Sequence, residues 1–136
     1  MSWESIEIGK KTPTPLVTFT LSNTIRFNKA FIDEYELHKA DKVEVLYNVN
    51  EDKIRVGFLF YTLDEEKENT LKLSWINDSS AFVSGYSVMT KLGIDNSKLR
   101  REKFKRRFVP YVEELGDRKI LVIDFAEIKK EEDESV

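Results

Sequence analysis

The side chains best suited to chemistry in this sequence are basic. Residues 98–107 hold seven lysines and arginines, Lys98, Arg100, Arg101, Lys103, Lys105, Arg106 and Arg107, against the single acid Glu102. Clustered cations of this kind neutralise phosphates and release condensed counterions, which gives affinity for nucleic acid without sequence information. Seven like charges so close together repel one another unless an anion lies alongside. The competing reading is solvation: a connector entering an edge strand carries lysine and arginine to stay soluble and to block edge-to-edge pairing, with an acidic tail as its intramolecular partner. Arg26 and Lys29 mark a second basic position, flanking a predicted helix start, where a phosphate would meet the positive end of the helix. Surface decoration is the alternative there.

Groups for catalysis are not assembled. His38 is the only histidine, falls just past a predicted helix end, and has no serine or cysteine partner at a useful spacing, so a capping or surface role is expected. Ser84-Gly85-Tyr86-Ser87 lacks the second glycine of a nucleophile elbow and reads as a helix cap. The carboxylates run together instead of forming a spaced acid/base pair, and no glycine-rich phosphate loop exists. The absence of cysteine excludes disulfides, thiolate metal sites and cysteine nucleophiles. The aromatic run Arg55-Val56-Gly57-Phe58-Leu59-Phe60-Tyr61 faintly resembles the base-stacking strand of RNA-recognition domains. Phe58 and Phe60, however, continue the apolar alternation of Ile54 and Val56, which points to a core strand. The expectation is a protein that is not an enzyme and uses neither metal nor cofactor.

The elements that must carry these residues fit one domain. The chain has 136 residues, 40% of them apolar, enough for one substantial core. Its net charge of −3 hides a segregated distribution, with acids gathered in residues 64–68 and 130–134. The start, Met1-Ser2-Trp3-Glu4-Ser5, has no basic region before an apolar run, so no leader and a cytoplasmic location are expected. The Asn77-Asp78-Ser79 glycosylation pattern is then fortuitous. Apolar runs fall far short of the ~20 residues of a membrane span, and no membrane partner is expected.

Residues 1–15 read as an extended segment ending in Thr12-Pro13-Thr14-Pro15. Residues 16–21 alternate as a strand, the pair Ser22-Asn23 turns the chain, and residues 25–27 form a second short strand. Asn28 caps a helix running to about Leu37, with Phe31, Ile32 and Tyr35 on its inner face. Residues 43–47 and 54–60 form a hairpin. Leu71, Leu73 and Trp75 share one face of a strand that would pair back on the preceding one. Residues 81–83 form a short strand, Ser84 caps a helix carrying Val88, Met89 and Leu92 inward, and Gly93 ends it. Residues 104–112 and 119–125 form two strands around the turn at residues 113–117.

The second half thus repeats the first half's order of elements. Setting Ile25 on Phe82 places Phe31 on Val88, Ile32 on Met89 and Tyr35 on Leu92, while Lys53-Ile54-Arg55-Val56 lies over Lys119-Ile120-Leu121-Val122. The expected fold is α+β, two pseudo-repeated strand-helix-hairpin units, 16–76 and 81–126, forming a mainly antiparallel barrel-like or swapped-hairpin β-structure with two short helices. Residues 127–136 form an acidic tail, expected to be disordered.

At residues 18–57, Thr-Phe-Thr-Leu-Ser-Asn-Thr-Ile-Arg-Phe-Asn-Lys-Ala-Phe-Ile-Asp-Glu-Tyr-Glu-Leu, then Ala-Asp-Lys-Val-Glu-Val, a turn and Lys-Ile-Arg-Val, the sequence resembles the AbrB/MazE swapped-hairpin domain. The resemblance implies a short strand and basic arm entering a helix, then a hairpin that completes an intertwined dimer binding duplex DNA. Arg26 and Lys29 fall on that arm. Asn28 stands where the family starts its helix with proline, and Ala40-Asp41 replaces its Gly-Asp turn. A diverged second copy would let one chain form what the family makes from two subunits. The functional expectation is a double-stranded DNA-binding transcriptional regulator or accessory protein contacting DNA through Arg26, Lys29 and the 98–107 segment. The alternative is a protein-interaction module, antitoxin-like or a phage or plasmid accessory protein, that docks a partner through the acidic tail without binding nucleic acid. An oligomer is compatible with either.

Overall fold

A computed structural model of the chain describes residues 2–6, 13–50, 53–93 and 106–124. The basic residues Lys98, Arg100, Arg101, Lys103 and Lys105 and the acidic tail lie outside the described residues.

The first hairpin, β1 (Val17–Phe19) and β2 (Thr24–Phe27), puts Val17, Phe19, Ile25 and Phe27 on one buried face. Thr20 closes it by accepting the amide protons of Ser22 and Thr24 on its hydroxyl. Helix α1 (Lys29–Glu34) follows, and the Asn28 side chain caps it as expected, accepting from the Phe31 amide at 2.9 Å. The helix stops three residues before Leu37, because Tyr35 leaves helical geometry and Glu36 takes a positive φ of 52°. Leu37 still packs on the core.

The second hairpin is long, β3 (Ala40–Asn50) against β4 (Lys53–Thr62). Next come β5 (Leu71–Lys72) and β6 (Ser74–Ile76). The expectation that residues 71–75 pair back on the preceding strand is corrected here. β5 pairs with β3, and β6 pairs with β7 (Ser80–Ser84) in another sheet. The chain crosses between sheets at buried Leu73, whose amide donates to the Asp41 carbonyl at 2.9 Å, and the Trp75 indole donates to the Ala40 carbonyl at 3.2 Å. Satisfying these polar groups at a buried corner makes the crossing tolerable.

Helix α2 (Tyr86–Leu92) has Gly85 as its N-cap with no side-chain cap bond. The expected cap, Ser84, is instead the last residue of β7, where its backbone pairs with Thr24. Gly93 ends the helix at φ 71°, a left-handed conformation that glycine adopts without steric cost. The strand expected over 104–112 is split, because Pro110 has no amide proton for a ladder. β8 (Arg107–Phe108) pairs with β1, while β9 (Tyr111–Leu115) pairs with β10 (Arg118–Asp124) through a tight turn at Gly116-Asp117. Glu113 and Glu114, expected in that turn, belong to β9.

All pairings are antiparallel, giving two five-stranded sheets in the orders β6-β7-β2-β1-β8 and β5-β3-β4-β10-β9. The α+β class is as expected, with strands dominating and two short helices. A single core joins the inner faces of both sheets, with Phe19, Ile25 and Phe27 from the first meeting Val43, Val56, Phe58 and Ile123 from the second. The Phe27 ring sits edge-on to Phe58 and Phe60 at 5.3 and 5.2 Å, a favourable aromatic geometry. Phe58 is fully buried and Phe60 packs against the core, as their alternation predicts. No helix among the described residues is long and apolar enough to cross a membrane.

The residue overlay proposed from sequence slips by one in the strands. It sets inward Ile25 on Phe82, but Phe82 lies directly opposite exposed Arg26 and so faces outward. It likewise sets inward Val56 on Val122, which packs on the outer face of the second sheet with Leu59, Tyr61 and Ile120. The helix overlay keeps its step, with Phe31 and Ile32 matched to Val88 and Met89, which also turn inward.

Candidate nucleic-acid interface

Strand alternation decides which side chains leave the first sheet. Val17, Phe19, Ile25, Phe27, Ala81, Val83 and Phe108 turn into the core, so their neighbours face out. Directly opposed residues then form one row across all five strands, Ser74, Phe82, Arg26, Thr18 and Arg107. Arg26 and Arg107 are exposed, and Thr18 and Phe82 are half-buried. Two strand spacings separate the arginines, roughly 10 Å between backbones.

Apart from Ile76 on β6, the rest of that face is mainly hydroxylic. Thr20 and Thr24 are joined at 2.6 Å and Thr20 and Ser22 at 3.0 Å, while Ser84 stands opposite Thr24. None of the five strands of this sheet contains an aspartate or glutamate. Every strand acid, Asp41, Glu44, Glu113, Glu114 and Asp124, belongs to the other sheet.

Two arginines of the second sheet, Arg55 and Arg118, are used internally, whereas Lys42, Lys72 and Lys119 of the same sheet form no ion pair among the described residues. Arg55 pairs with Glu113, and Lys67 lies 3.6 Å from Glu44. Arg118 bonds Glu65 at 2.9 Å and the Phe60 carbonyl at 2.9 Å, and stacks over the Tyr61 ring at 4.3 Å. Thr62 donates its amide to the same Glu65 carboxylate, and this bond, with the Arg118 guanidinium next, holds that carboxyl below its ordinary range. Among the described residues, no ion pair involves Arg26, Arg106 or Arg107. What sets the first sheet apart is that its strands carry arginine and no acid, whereas those of the second carry both signs.

Of the residues singled out in sequence, the structure brings Arg26 and Arg107 onto one face. Arg106 immediately precedes β8, and its carbonyl accepts from the Phe19 amide at 2.9 Å. Lys29 is placed differently: its ammonium lies 2.8 Å from Asp33, which also bonds His38 at 2.9 Å. Hydrogen bonding from Lys29 foremost, opposed by partial desolvation and aided by His38, keeps the Asp33 carboxyl below its ordinary range. His38 thus takes a surface role beside the helix.

Sequence reasoning missed Phe82 as a surface residue. Ser80-Ala81-Phe82-Val83-Ser84 can present either Phe82 or the Ala81 and Val83 pair inward, and only pairing with β2 decides. A concavity of about 840 Å³ lies between α2, β3 and β5, with Val45, Tyr47, Leu71, Val88, Lys91 and Leu92 in its lining. No protein-family model, no curated protein and no solved structure matches this chain.

Proposed function

We propose that this protein binds double-stranded DNA through the outer face of the β6-β7-β2-β1-β8 sheet, as a transcriptional regulator or accessory protein. The observation that carries this reading is that Arg26 and Arg107, without an ion pair among the described residues, share one face of a sheet whose strands contain no acid. The hydroxyls of Thr18, Thr20, Thr24 and Ser84 add neutral donors for phosphate oxygens. The sequence running into Arg106 adds Lys98, Arg100, Arg101, Lys103 and Lys105 to the cations on hand. Lys29 is a lesser contributor, since Asp33 competes for its charge.

The same reading treats the chain as two fused AbrB/MazE-like units. Its support is the strand order: each sheet contains an antiparallel pair, β2 with β7 and β4 with β10, that joins a strand of residues 16–76 to one of residues 81–126.

Titration of a short duplex at several salt concentrations tests the function. If about 4 to 6 phosphates are neutralised, log affinity falls against log salt with a slope of about −4 to −5. No binding at low salt, or binding unaltered when Arg26, Arg106 and Arg107 are all changed to Ala, refutes the reading.

The protein-interaction alternative draws on the concavity beside α2 and on the exposed Tyr47 in its lining. Removing residues 127–136 separates the two. A partner-binding module loses its partner, whereas a DNA binder keeps or gains affinity once a competing polyanion is gone.

A further inference from the structure

Phe82 is the one aromatic side chain in the row that crosses the first sheet, and it stands directly opposite Arg26. Cross-strand partners bring their Cβ atoms to about 5 Å, so the two side chains start from neighbouring positions on the same face. Phe82 makes no part of either apolar cluster, although the residues on both sides of it, Ala81 and Val83, are core. A half-buried phenyl ring opposite a cation, on a sheet whose strands carry hydroxyls and no acid, is a composition with which sheet surfaces receive nucleobases. The cation holds the phosphate and the ring offers a π-face.

We infer that Phe82 is a base-stacking residue, so that this face holds DNA carrying an unpaired base more tightly than a fully paired duplex. The inference rests on the DNA-binding reading above and deepens it. In a paired duplex each base is already stacked on its neighbours, and bringing one onto Phe82 costs its unstacking and unpairing. A bulged base carries little of that cost. Arg26 and Arg107 contact backbone and serve both substrates alike; Phe82 alone distinguishes them.

The test compares a fully paired duplex with one of the same sequence carrying a single bulged base, for the wild-type protein and for Phe82→Leu and Phe82→Tyr. Leucine preserves apolar cover on the sheet but has no π-face, and tyrosine keeps the ring. The bulged duplex is expected to bind about tenfold more tightly to wild type and to Phe82→Tyr, with Phe82→Leu losing that preference. Equal affinity of wild type for the two duplexes overturns the stacking assignment while leaving the basic-face reading intact. So does an equal loss on both duplexes in Phe82→Leu, which marks a structural role. Absence of binding to either duplex at low salt removes the DNA-binding reading and the stacking assignment together.

Discussion

Arg26 and Arg107 stand on opposite sides of Thr18 in a single cross-strand row, although they are eighty-one positions apart in sequence (107 − 26). Each is exposed, and neither is paired with an acid among the described residues. Independent phosphate contacts predict that each Arg→Ala change makes the salt slope for duplex binding shallower by about 0.9, with the double change additive. The slope should be insensitive to Lys29→Ala by comparison, because Asp33 already shares that charge. Salt titrations of wild type and the four variants check this.

Asn28 ties three segments together. Its Oδ1 accepts from Phe31 at the helix start and from the Leu16 amide at 3.0 Å, and its Nδ2 donates to the Thr14 carbonyl at 2.9 Å. Asn28→Ala should therefore cost more than a simple cap, about 1–2 kcal/mol in urea unfolding. Asn28→Asp keeps the acceptor for the Phe31 and Leu16 amides but turns a carboxylate oxygen toward the Thr14 carbonyl, so it too should destabilise, through the Thr14 contact alone.

Gly57 lies under the Ile120 side chain, where β4 passes beside β10. A methyl group at position 57 would overlap that side chain, with its Cγ1 only 2.8 Å away. Gly57→Ala is expected to destabilise by about 1–3 kcal/mol through overpacking. Adding Ile120→Ala should remove most of the clash, so the double variant should be more stable than the sum of the single losses predicts. Denaturant midpoints of the three variants test the coupling.

Glu65 connects the end of β4 to Arg118 at the start of β10. Its carboxyl sits below the ordinary range, first because of the Thr62 amide and then because of Arg118. A depressed carboxylate contributes stability that is complete above the unfolded-state value and is lost as pH falls through the lower folded-state value. Thermal midpoints should decline across that acidic window, and Glu65→Gln should decline less steeply there while differing most from wild type near neutrality. Identical pH profiles for the two proteins would remove Glu65 from the acid response.

Local sequence determined the elements whose instructions lie within a few residues. Asn28 before Phe31 and Ile32 set one helix start, Gly93 set one helix end, and the alternation from Ile54 to Phe60 set a core strand. The cationic richness of residues 98–107 was equally plain, since charge is a property of composition. Only the tertiary structure decided which strands are neighbours. Residues 71–75 look like one strand, but the chain turns at Leu73 and divides them between two sheets. Phe82 and Ile25 look equivalent by position, yet pairing across β2 and β7 sends one outward and the other into the core. A strand's periodicity says that alternate residues share a face but not which face meets the core, because that choice depends on partners far away along the chain. For the same reason Arg26 and Arg107 came onto one row, on either side of Thr18, only when β8 joined β1, a contact that no local pattern encodes.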